Sequence, residues 1–377
     1  MKRALLTVTS LLGTAGALVA QNAGPINPQP TGPVTVPSNP QIQLLVDANP
    51  AINEPDKTNW QLFVQVNTPA ATAGNNNAVF ETWASDEDTF NPNPVFPTAI
   101  SPKKLKVPAL VRGAMRKPGL QPHVLPGGSE EVRRNKPAFD FIVNNKLYLI
   151  SGVKAAFAAK KPISFPTDSI EVKANWIPVT PNLDKSLYHV NTASDGKQYA
   201  LVSMHIISKL VPNWTWATFE HKDNAGRCDY IGCRDSFGAT VKVVAAKTPT
   251  GGQYPACAKT SALKAMFTAA GLPPEYENYC LKGSQVDFVT STGLVTLLGN
   301  SVTENGFVPT SSCMTCHSRA AVDSNGSDAF GAGFIGPSIS PNGAPLASWF
   351  WNNPGKPTQS QKNLQMDFVW AIPLNAQ

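Results

Sequence analysis

Hydrophobic and polar positions alternate over short stretches along much of this chain. From Ser169 to Trp176, apolar Ile170, Val172, Ala174 and Trp176 alternate with Glu171, Lys173 and Asn175. That period of two predicts a half-buried strand. Tyr199–Lys209 and Trp214–His221 are two further β-rich runs joined by Leu210-Val-Pro-Asn213, and Ala239–Ala246 is another. Asn59–Asn67 and Ala78–Trp83 are short apolar segments on either side of an Asn/Gly cluster. In Pro137–Val153 two β-prone runs flank Asn144-Asn145, a hairpin signal. One helix is expected at about 260–270: Thr260 or Ser261 caps it, Leu263, Met266 and Phe267 share a face, and Gly271 and Pro273 stop it. No long repeat is evident, but Gln285-Val-Asp-Phe-Val289 is echoed by Gln365-Met-Asp-Phe-Val369. The pattern predicts a mainly β, sandwich-like body with few helices.

Composition agrees. The chain has 377 residues, with 34 prolines, 27 glycines and 15% charged residues. Frequent proline interrupts helices, so a bundle or coiled coil is excluded, as is a charge-rich disordered chain. The length fits one large or two medium domains. A net charge of +6 is too weak and dispersed to argue for nucleic acid. Locally it is concentrated: residues 103–117 hold Lys103, Lys104, Lys106, Arg112, Arg116 and Lys117 without an acid. Such a stretch suits docking of an acidic redox partner, or is simply a solvated face.

The first residues change the expected compartment. Lys2 and Arg3 precede an uncharged run, Ala4–Ala20, that ends in small residues. Residues 1–20 read as a secretory signal peptide. A membrane anchor is the alternative, disfavoured by Thr7, Thr9, Ser10 and two glycines. No other long apolar run is present, so no integral span is expected. Residues 21–41 are a polar, proline-rich lead-in, 42–283 the β-rich body, and 284–377 a segment of irregular or helical character. In an exported chain, periplasmic or secreted, disulfides persist. Proximity pairs Cys228 with Cys233 and Cys257 with Cys280, one of three connectivities. A redox disulfide at 228/233 is the alternative use.

The remaining cysteines carry the chemistry. Cys313-Met-Thr-Cys316-His317 is C-x-x-C-H, the attachment sequence of c-type haem. Thiols at i and i+3 reach two porphyrin vinyl groups as thioethers, and His317 becomes the proximal iron ligand. A redox dithiol would need a strand–motif–helix context, and a zinc site a second ligand pair.

At this motif the chain resembles a c-type cytochrome. It also resembles exported bacterial single-haem proteins grouped only as cytochrome c family. Trp60-Gln-Leu-Phe, Trp216-Ala-Thr-Phe-Glu-His-Lys-Asp-Asn224, Gly299-Asn-Ser and Ser312-Cys-Met-Thr-Cys-His-Ser-Arg319 carry that likeness. It implies one covalent haem c and export, but little mechanism. Residues 299–312 and 318–345 lack the helices of a small cytochrome domain, so haem is expected to pack on the β body.

The sixth iron ligand separates the functions. A filled position suits electron transfer. An open one suits a haem oxidoreductase (peroxidase-like) or a small-ligand binding module. Met366, 49 residues after His317, is the leading candidate, although in a strand it shares a face with Phe368, Trp370 and Ile372 as plain core. His221, beside Glu220 and Asp223, is a second candidate as ligand or acid/base. His205, among apolar strand residues, is a third. Met314 points the wrong way, and His123 and His189 read as surface residues. Trp214/Trp216 and Trp349/Trp351, each at period two, cover the haem or fill the core.

Overall fold

A computed structural model describes residues 48–71, 77–98, 105, 129–245, 251–305, 307–330 and 343–377. The expected signal peptide at 1–20, the lead-in at 21–41 and, apart from Leu105, the basic stretch 103–117 lie outside the described residues.

The helices are α1 (Ala48–Asn53), α2 (Pro55–Asn67), α3 (Asp86–Thr89), α4 (Lys136–Asn144), α5 (Ile150–Ala158), α6 (Ser261–Ala269), α7 (Cys313–His317), α8 (Ala347–Phe350) and α9 (Ala371–Asn375). The strands are β1 (Ala84–Ser85), β2 (Ser129–Arg134), β3 (Ile170–Pro178), β4 (Val190–Thr192), β5 (Gln198–Ser208), β6 (Thr215–His221) and β7 (Tyr279–Gln285), followed by four short ones, β8 (Ala321–Val322), β9 (Trp351–Asn352), β10 (Ser360–Gln361) and β11 (Leu364–Gln365). The first seven form one sheet in the order β1-β2-β3-β5-β6-β7, with β4 on the end of β5. Every pairing in it is antiparallel. β8 pairs with β11, and β9 with β10.

The body is thus mainly β with short helices, and the layer facing its large sheet is helix and coil rather than a second large sheet. On one face, Val172, Ala174, Trp176, Met204, Ile206, Ala217 and Phe219 form a core with α2 and α6. Trp60 and Phe63 of α2 meet Phe219 with ring centroids 5.0 and 4.5 Å apart. The segment after β7 folds back over the other face, where Trp214, Trp216, Met314, Met366 and Phe368 belong to a second apolar cluster.

Two stretches differ from the strand expectation. Residues 59–67 lie in α2, because Trp60, Phe63, Val64 and Asn67 repeat at helical spacing and are all buried against the sheet. Pro55 opens that helix at its first turn. The expected hairpin at 137–153 is the helix pair α4 and α5. Asn135 caps α4 by accepting from the Ala138 N–H, and Ala138, Phe139 and Ile142 form its buried side. The Asn pair ends this helix, with Lys146 at φ 56° in the turn. Of the expected strand at 239–246, the described residues 239–245 contribute only isolated bridges, Ala239 to Lys259 and Val243 to Cys233. The helix at 261–269 matches its expectation, capped by the Thr260 hydroxyl. Among the described residues no helix is long and apolar enough to cross a membrane.

Candidate functional site

The C-x-x-C-H motif is the one-turn helix α7. Its approach is tight: a Cβ at Gly299 would fall 2.6 Å from Ser311 Oγ, so glycine lets the 298–304 loop close on residue 311. The two halves of the sequence echo hold the helix at opposite ends. Gln285 Oε1 accepts from the Met314 N–H (3.2 Å), and its Nε2 donates to Ser312 Oγ (3.1 Å). Gln365 Nε2 donates to the Ser318 carbonyl oxygen (3.0 Å). The rings of Phe288 and Phe368 stack behind them, 6.2 Å apart.

Cys313 and Cys316 are free thiols, both partly buried. Spaced i and i+3, they share one side of the turn. Burial, with Glu304 nearby, pushes the Cys313 thiol well above its usual range and Cys316 to about 11. Both are therefore neutral near pH 7. His317 Nδ1 donates to the Phe368 carbonyl oxygen (2.8 Å). A carbonyl only accepts, so the proton is assigned to Nδ1 and the lone pair to Nε2. Burial lowers the His317 pKa to about 3, which keeps the ring neutral. The ring packs on Trp216, with centroids 4.6 Å apart. Met314 is fully buried and points into the core.

The candidates for the sixth ligand are separated by the sheet. β6 alternates: Ala217 and Phe219 belong to the α2/α6 core, Trp216 to the cluster holding Met314. His221 falls on the Phe219 side. Its Nε2 bonds the Leu187 carbonyl (3.0 Å), and its ring stacks on Tyr188 at 3.7 Å. The sheet thus removes it from the motif. Met366 is fully buried in the second cluster. Its N–H donates to the Ala320 carbonyl (2.7 Å), and the 366–369 turn carries the Phe368 carbonyl to His317 Nδ1. Met366 thus packs in the apolar cluster that also holds Met314 and Phe368.

His205 lies on the motif side. In the register, Lys173 faces His205 and His205 faces Thr218. Asn300 Nδ2 reaches both His205 Nε2 and Thr218 Oγ1 at 3.0 Å. Asn300 Oδ1 meanwhile accepts from the Val302 and Thr303 N–H groups. That fixes the amide and makes His205 Nε2 an acceptor. Burial lowers the His205 pKa to about 3. Glu304 Oε1 is 3.5 Å from His205 Nε2. Burial raises its carboxyl to about 7. No motif marked Glu304 or Lys173; Asn300 lay in the Gly299-Asn-Ser stretch without a role, and the polar half of the 169–176 alternation was the only signal for Lys173.

The remaining expectations divide. Cys228–Cys233 and Cys257–Cys280 are disulfides, with Cα separations of 5.0 and 5.7 Å. His189 is not a surface residue: it is buried, and its Nε2 is 2.8 Å from Glu81 Oε2. His123 lies outside the described residues. Trp349 packs beneath the Arg319 guanidinium at 4.5 Å, whereas Trp351 is exposed.

The donor set suits a porphyrin carrying two vinyl groups and an iron: two free thiols one turn apart beside a neutral imidazole with Nε2 available. Among the described residues, no three His, Cys, Asp or Glu side chains are grouped to hold a metal ion by themselves. The chain matches no protein-family model, no curated protein and no solved structure.

Proposed function

We propose that this chain is an exported c-type cytochrome that carries one covalent haem c and acts in electron transfer. The observation that carries the reading is the state of α7: free Cys313 and Cys316 on one side of a single turn, with His317 held as the Nδ1–H tautomer by Phe368. Cys313 and Cys316 would hold the porphyrin and His317 its iron. The bound group supplies one-electron exchange. Trp216 packs on the imidazole and Phe368 on Trp216. The basic stretch 103–117 would meet an acidic redox partner.

A second reading, a haem oxidoreductase with an open coordination side, is favoured by one observation. The sheet face beneath the motif is polar, carrying Lys173, His205, Thr218 and Glu220. A shelter for a simple carrier is better built from apolar side chains, since burying polar groups costs free energy.

The test is expression of the full chain with haem-attachment machinery. Haem that survives denaturation in the wild type, and is lost in Cys313→Ser/Cys316→Ser, supports attachment; its absence overturns both readings. With haem attached, a ferric low-spin spectrum and a reduced form indifferent to carbon monoxide support the carrier. A high-spin form that binds carbon monoxide supports the oxidoreductase.

A further inference from the structure

The buried face beneath the attachment helix leaves hydrogen-bond donors unanswered. Asn175 neighbours Lys173 on β3 and faces Ser203, as Lys173 faces His205. It is 2% exposed. Its Oδ1 accepts from Ser203 Oγ (3.0 Å) and Thr303 Oγ1 (2.8 Å). Its Nδ2, fully buried, has no acceptor among the described residues. The Lys282 ammonium is in the same position: buried, 3.7 Å from Glu220 Oε1, and without a hydrogen bond among the described residues. Glu220 is already occupied by the Ser301 N–H, the Ser301 hydroxyl and Asn224 Nδ2. Lys173 Nζ stands 3.5 Å from Glu130 Oε2. A buried donor left without an acceptor costs the free energy of its lost hydration.

The two unanswered atoms, Asn175 Nδ2 and Lys282 Nζ, are donors, one of them an ammonium. The carboxylates of this face already have partners: Glu130 pairs with Lys173, Glu220 holds Ser301 and Asn224, and Glu304 accepts from the Asn300 N–H. That selects the ligand's charge. Glu304 borders the same space, between His205 and the motif cysteines. With its carboxyl raised to about 7, it accepts a proton near neutral pH and then no longer repels an anion. His205 Nε2, held neutral by Asn300, adds no charge of its own. Asn175 and Lys282 are nearly closed to solvent and Lys173 is only partly exposed, so an incoming ion must shed most of its water and be compact.

We propose that the space between this sheet face and α7 binds a small inorganic anion, held by the ammonium groups of Lys173 and Lys282 and the amide of Asn175. The proposal rests on the oxidoreductase reading and names its class of substrate: a compact anion delivered to the side of the motif that faces the sheet. Lys173, Lys282 and Asn175 are binding residues in it. His205 and Asn300 position the wall.

Azide and nitrite are the probes, added to the ferric full-length protein with attached haem. Absorbance and thermal melting are both read. Binding is expected to be saturable, to shift the haem band and to raise the melting temperature. Lys173→Met should weaken it at least about tenfold, the scale of one lost charge-assisted contact. Lys173→Arg, which keeps the charge, should remain within a few-fold of wild type. Asn175→Ser offers a milder second variant and should also weaken binding. Unmoved spectra and melting curves at saturating anion would overturn the proposal. So would equal affinity in Lys173→Met, which would place the anion on iron alone. The same melts on the full-length Cys313→Ser/Cys316→Ser protein keep the two claims apart. There nitrite should still raise the melting temperature, and Lys173→Met should abolish the rise, whether or not haem attachment occurs in the wild type.

Discussion

The Nδ1–H of His317 donates to the carbonyl oxygen of Phe368 across 2.8 Å, linking two residues 51 positions apart. The carbonyl is presented by an unusual backbone: Asp367 has φ 48° and Phe368 φ 70°. Left-handed conformations at non-glycine residues cost free energy and persist only when the surroundings over-determine them. Here Asp367 supplies the anchor. Its Oδ1 meets Lys209 Nζ (2.6 Å), and its Oδ2 accepts from the Phe165 N–H (2.7 Å).

Asp367→Ala should therefore be severely destabilising. It strands a Lys209 ammonium that is 7% exposed, and breaking one side of a buried pair costs about 3–5 kcal/mol. Chemical denaturation measures the loss. The double variant Asp367→Leu/Lys209→Met should regain most of it, because no charge is left buried. If the double variant is no more stable than the single, the ion pair is not what holds the turn.

The two glutamine clamps should act together. Gln285→Ala frees the Met314 N–H and Ser312 Oγ, and Gln365→Ala frees the Ser318 carbonyl. Each should cost about 1–2 kcal/mol and reduce the fraction of chains that acquire covalent haem. Mass spectrometry of the intact protein reads that fraction. Full occupancy in the double variant would show that α7 needs neither clamp.

Glu304 predicts a pH dependence of stability. Burial raises its carboxyl from 4.5 to about 7. Between those values the folded protein holds a proton that the unfolded chain has released. Stability contributed by this group is therefore present below pH 4.5 and declines as pH rises towards 7. Glu304→Gln should flatten that decline, seen by comparing melting curves of the two proteins from pH 5 to pH 8.

Exchange of Met366 for leucine should leave the spectrum of the oxidised protein as it is if the side chain serves only the apolar cluster in which it is buried; the stability cost should stay below about 1.5 kcal/mol. His221→Phe should leave it unchanged as well, because the sheet separates that ring from the motif. A spectral change in either variant would return that residue to the iron.

How much of this was legible in the sequence follows the range of each signal. C-x-x-C-H spans five residues, so its chemistry is written locally. β3, β5 and β6 were readable because one of their faces is uniformly apolar, and the helix at 261–269 because Thr260 and Gly271 mark its ends. The disulfide partners could be guessed because each pair is close along the chain. The helices at 55–67 and 136–158 were not readable as such. Their β-branched and aromatic residues suit strands, and only a sheet to cover made helical spacing the better solution. Nor could any local pattern say which side of β6 faces the motif. That depended on strand register and on the return of residues 298–305, 307–330 and 343–372 across the sheet. The same return buried Met366 in the second apolar cluster, left His221 to the other core, and gathered Lys173, Asn175, His205 and Glu304, which lie up to 131 positions apart. Alternation along one strand specifies two faces; which face is covered, and by what, is decided by contacts between segments distant in sequence.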